Sequence, residues 1–80
     1  QAMKVIGIRP VSFAGENKEQ ISGKNIYVTY PLDKGEGNAA ERLFITDDKL
    51  NQFTYKARVG DEVKVEYNRY GRCVGMAKAQ

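Results

Sequence analysis

The chain has 80 residues, a mass of 9.0 kDa and a formal net charge of +3, with 41% hydrophobic and 29% charged residues. That is room for one small module, too apolar for disorder and without an apolar run that could span a bilayer. A single cysteine and the absence of histidine exclude an intrachain disulfide and a zinc site, so the core must suffice alone or be shared in a homodimer.

Gln1-Ala2 reads as a cloning remnant ahead of Met3, which makes residues 3–80 the domain. Nothing there has a signal-peptide layout, and with a free Cys73 this points to the cytoplasm. Lys4 to Phe13 is β-branched and aromatic but interrupted by Gly7 and Pro10, which predicts a bent or bulged first strand. Ala14 to Lys24 is polar with glycine near both ends and reads as a protruding wing. Asn25 to Tyr30 alternates, with Ile26, Val28 and Tyr30 inward and Tyr27 and Thr29 outward, until Pro31 stops it. A turn-rich loop to Asn38 leads into Glu41 to Thr46, where Leu43 and Ile45 oppose Arg42, Phe44 and Thr46.

Asp47 to Phe53 breaks the strand pattern. Thr46 or Asp47 can cap a short helix there, with Leu50 and Phe53 on one face. Val59 to Val63 opens a fourth strand, Glu62 to Tyr67, whose Val63, Val65 and Tyr67 should face inward. Asn68-Arg69-Tyr70-Gly71 is a tight turn, and Arg72 to Lys78 returns as the fifth strand, with small Cys73, Gly75 and Ala77 on the core side. Five short strands with a helical insert between the third and fourth describe an all-β protein, a small five-stranded barrel of the oligonucleotide-binding (OB) type. An SH3-like barrel is the rival, and it offers no such insert.

Catalytic chemistry has no visible carrier: no histidine, no phosphate-cradling glycine motif, and no base beside Ser or Cys. Asp47-Asp48 with Glu41 can be read as a cation site, but helix capping explains the pair more simply. No enzyme activity, cofactor or small-molecule substrate is expected. The positive signal is basic residues interleaved with aromatics. Basic and acidic residues cancel through Phe53, so the whole excess lies in the last third, in Lys56, Arg58, Lys64, Arg69, Arg72 and Lys78 against Asp61, Glu62 and Glu66. Lys24 precedes Tyr27, Arg42 sits two residues from Phe44, Tyr55 adjoins Lys56 and Arg58, and Tyr70 lies between Arg69 and Arg72. Aromatics that stack on bases beside cations that take phosphates make a single-strand binding surface with little sequence preference.

Met3-Lys-Val-Ile-Gly-Ile-Arg-Pro10, the polar segment before a Tyr-bearing second strand, Arg42-Leu-Phe-Ile-Thr46 running into Asp47-Asp48, and the closing hairpin resemble the small single-stranded-DNA-binding proteins of phage and plasmids, the gene-five-like proteins of filamentous phage among them. The resemblance implies a dimeric OB-fold that coats single-stranded replication intermediates, with Lys18, Lys24, Tyr27 and the Arg69-Tyr70 tip in contact. Glu16 and Glu19 in the wing and the loop from Lys34 to Asn38 depart from that pattern. Single-stranded DNA, or RNA, is thus the expected partner. A protein-binding barrel of a mobile element that docks a host factor along an open sheet edge is the alternative.

Overall fold

The computed structural model describes residues 2–79; Gln1, half of the suspected remnant, and Gln80 lie outside the described residues. Five strands and one helix follow in the order β1 (Met3–Ala14), β2 (Gln20–Pro31), β3 (Asn38–Thr46), α1 (Asp47–Gln52), β4 (Glu62–Tyr67) and β5 (Cys73–Lys78). They form one antiparallel sheet ordered β3-β2-β1-β4-β5. β3 and β5 are its two edges, and no ladder joins them, so the sheet curls without closing.

The predicted wing is mostly strand. β1 pairs with β2 from Lys4↔Thr29 to Ala14↔Gln20, and only residues 15–19 form the connection, held by Gly15 N–H to the Glu19 carbonyl at 2.7 Å. Polarity there reflects a ladder that projects past the core and is wet on both faces, so composition alone read it as a loop. Two arms of 12 residues at ~3.3 Å each approach 40 Å and account for the 43 Å long axis. β3 likewise starts earlier than its alternation indicates, because Asn38, Ala39 and Ala40 pair with Pro31, Tyr30 and Thr29.

β1 bends where Gly7 and Pro10 predict it. A bulge between Val5 and Gly7 makes Ile6 the extra residue, and beyond it only Met3 and Lys4 pair with β4. The core is the inner face of this bent sheet: Val5, Val28, Val63 and Ile45 are sealed, with Ile26, Leu43, Met3 and Met76 around them. α1 starts as its sequence indicates, with Thr46 Oγ1 accepting from Lys49 N–H at 3.4 Å and Asp47 and Asp48 in the first turn. Leu50 and Phe53 pack against the core from this side.

Three expected inward positions, Tyr67, Gly75 and Ala77, are corrected. Tyr67 is 42% exposed rather than buried. In β5, Met76 is buried and Ala77 exposed, because a shift opposite Glu66 and Tyr67 pairs them with Gly75 and Cys73 and leaves Val74 extra. That bulge flips the alternation, so Cys73 and Met76, three apart, both pack on the core side.

Candidate nucleic-acid interface

The ladder register lays out the outer face of β1–β3 in rows. Gly7, Tyr27 and Arg42 stand in one row, Arg9, Asn25 and Phe44 in the next, then Val11, Gly23 and Thr46, and finally Phe13 with Ile21. Tyr27 rests over Gly7, whose missing Cβ would lie 3.5 Å from the ring. Phe44 leans across β2 onto Gly23, where a Cβ would come within 2.8 Å of the ring and also collide with the Ile45 carbonyl oxygen. On that floor Phe44 meets Phe13 with ring centroids 5.7 Å apart and planes tilted by 53°. Both rings stay open to solvent, Phe13 at 48% and Phe44 at 39%. Two glycines thus let aromatic rings lie on the sheet surface, where they present area to water that the core does not use.

Beside this face the unpaired edges of β3 and β5 border a groove of about 350 Å³. Arg42, Lys49 and Arg72 line it together with Phe44 and Cys73, and no carboxylate is among its described lining residues. The groove is therefore electropositive and continuous with the aromatic pair through Phe44. Cys73 in its wall has a thiol pKa raised above its ordinary value because burial disfavours the thiolate. Behind the other end of β3, the Glu41 carboxylate accepts from Tyr30 Oη at 2.6 Å and from Tyr67 Oη at 3.4 Å, tying β2, β3 and β4 together. Glu41 is thus occupied on that side.

The β4–β5 turn borders the groove. Asn68 Oδ1 accepts from the N–H groups of Tyr70 at 2.9 Å and Arg72 at 3.0 Å, and Gly71 takes φ 78°. With the turn satisfied by Asn68 and Gly71, the Tyr70 side chain has no core to fill and is 73% exposed. The Arg69 guanidinium sits 5.2 Å from the Tyr70 ring centroid, a cation–π pair at the tip.

The sequence-derived candidates divide by position. Tyr27, Arg42 and Phe44 share the outer face, and Arg72 joins Arg42 and Phe44 at the groove, while Arg69 and Tyr70 stand on the turn whose Gly71 also borders it. Lys18 sits in the β1–β2 connection at φ 64°. Lys24 belongs to the opposite face, next to Ile26 in a cavity beneath α1. Tyr55, Lys56 and Arg58 lie on the α1–β4 connection. Tyr55 packs against the core and its hydroxyl donates to Asp61, so it is not a free stacking platform. Desolvation first, then that hydrogen bond, pushes its pKa up to about 12. Asp61 is held below its ordinary value by the same hydroxyl and by the Arg58 N–H at 3.1 Å. Lys56 Nζ donates to the Leu50 carbonyl at 2.5 Å.

Phe13 and Arg9 belong to the outer face and escaped sequence reading. Their only signal was alternation along β1, and the bulge at Ile6 shifts its phase. Comparison with known proteins finds no matching family model, no matching curated protein and no matching solved structure. The surface itself carries the functional reading.

Proposed function

We propose that this protein is a non-enzymatic, OB-type module that binds single-stranded nucleic acid, DNA in the first instance, with little sequence preference. The observation that carries the reading is the exposed Phe13–Phe44 pair opening onto a groove lined by Arg42, Lys49 and Arg72 without an acid. Exposed rings take unpaired bases, the cations take phosphates, and Tyr70 with Arg69 offers a second platform beside the groove. Duplex DNA hides its base faces and has less to offer such a surface. Stacking contributes about 1–3 kcal/mol per base, so two platforms and a few phosphate contacts give useful affinity despite a modest net charge.

Titration of tyrosine fluorescence with oligo-dT at two salt concentrations, alongside a duplex of equal length, tests the reading. Quenching by the single strand, weaker binding of the duplex and a steep loss of affinity with salt are expected. Equal affinity for the two forms overturns it. One feature favours a second reading: the facing free edges of β3 and β5 leave backbone groups to which an extended peptide of a host protein can add as a strand. Binding of that kind responds far less to salt.

A further inference from the structure

The core is open at one end. Between the inner face of the sheet and α1 lies a cavity of about 480 Å³, within the size range of small-molecule sites. Its floor is Ile26 and Met76, both buried core residues. Its walls are Ile8, Leu50, Phe53 and Ala57, all only half-buried although they pack on the core. A chain this small has little apolar surface to spare, and wet walls around one opening forgo burial that would stabilise the fold. An apolar ligand body recovers it.

The mouth is polar and unevenly charged. Lys24 and Lys56 stand against the single carboxylate of Asp47. Lys56 Nζ spends one of its three protons on the Leu50 carbonyl at 2.5 Å, which pins the ammonium at the rim with two donors left. The excess of one positive charge over a greasy interior selects a head group of opposite sign. We infer that this cavity binds a small amphipathic monoanion, an aliphatic or flat apolar body with one carboxylate or comparable head. At ~30 Å³ per water-sized group, the space of about 480 Å³ takes roughly sixteen heavy atoms. The site lies on the opposite face from the aromatic pair and does not depend on nucleic-acid binding. Its lining is assembled from five stretches of chain: β1 and β5 supply one residue each, β2 two, α1 three and the segment after α1 four.

Octanoate, octanol and octylammonium, which share a chain and differ in head charge, are the probes. The full chain is followed by thermal melting and by methyl NMR of Ile8, Ile26, Leu50 and Met76. Octanoate is expected to raise the melting temperature and shift these methyls, with octanol weaker and octylammonium weakest. Lys24→Glu should weaken octanoate by roughly tenfold and reverse the preference between it and octylammonium. Ala57→Phe, which fills the cavity, should abolish the methyl shifts at unchanged or higher intrinsic stability; if that variant fails to fold, the charge reversal decides. Equal response to the carboxylate and the amine, or octanoate shifts confined to the outer face around Phe13 and Phe44, overturns the proposal.

Discussion

The ring of Phe44 lies on the backbone of Gly23, diagonally across the β2–β3 ladder, and no other residue type fits beneath it. A Cβ at position 23 would meet the ring at 2.8 Å and the Ile45 carbonyl oxygen still more closely. The ring has room to move into solvent, but the Ile45 backbone belongs to the core strand and does not. Gly23→Ala should therefore destabilise the protein by about 1–3 kcal/mol, the usual result of overpacking, and dislodge Phe44 as well. For a domain of this size, a melting temperature lowered by about 4–8 °C per kcal/mol checks it.

Phe44→Ala and Phe13→Ala separate stacking from folding. Each ring is exposed by more than a third, so the loss of stability should stay small, while single-strand affinity should fall by about 1–3 kcal/mol if a base stacks on the pair. Oligo-dT titration of folded variants is the measurement. Unchanged affinity for both variants would remove the aromatic pair from the interface.

At the β4–β5 tip the two residue types should leave different signatures. Tyr70→Ala should weaken binding by about 1–3 kcal/mol with little effect on melting, since Asn68 and Gly71 hold the turn. Arg72→Ala should instead reduce the slope of log affinity against log salt by about one, for every sequence alike. Salt titrations of both variants distinguish a stacking loss from a phosphate loss.

Val63 and Val65 face the same side of β4 but are not equivalent. Val63 is fully sealed and pairs with Met3 of β1, whereas Val65 lies nearer the open end and is half-buried. Val63→Ala should cost about 2–3 kcal/mol and Val65→Ala about 1 kcal/mol. Denaturant midpoints of the two variants give the order directly.

Tyr55 and Asp61 predict opposite pH limbs. The Tyr55 phenol is raised from 10.0 to about 12, so its contribution to stability is complete below pH 10 and is lost as the pH climbs through 12. The Asp61 carboxyl is lowered, so its contribution is present above the ordinary carboxylate range near 4 and is lost as the pH falls through its lower folded value. Tyr55→Phe should remove the last tyrosine titration step at 295 nm and shrink the acid limb, because Asp61 loses its hydroxyl donor. Absorbance titration and melting temperature against pH follow both.

Features whose causes lie within a few residues were legible in the sequence. The alternation of Ile26 and Val28 and of Leu43 and Ile45, the Thr46 cap of α1 and the Asn68-to-Gly71 turn each depend on chain neighbours, and all are found where expected. Tyr70 beside Arg69 at an exposed tip was legible for the same reason. Only the tertiary structure decided which strands meet and in what register. The bulges at Ile6 and Val74 shift the phase of β1 and β5 at no cost that a local pattern records, and so Met76 turned inward and Ala77 outward, while Tyr67 keeps the phase of β4 and is exposed near the end of that strand. Phe13 and Phe44 are 31 positions apart and come together only because β1 and β3 flank β2, over a glycine that leaves them room. Tyr55 fell out of the candidate interface because its partner, Asp61, is chosen by the turn that precedes β4. Composition supplied residue types whose chemistry suits base stacking and phosphate contact. Packing across the ladders selected which of them share a surface, because side-chain direction in a sheet alternates with every residue and any shift of register exchanges the core for the solvent.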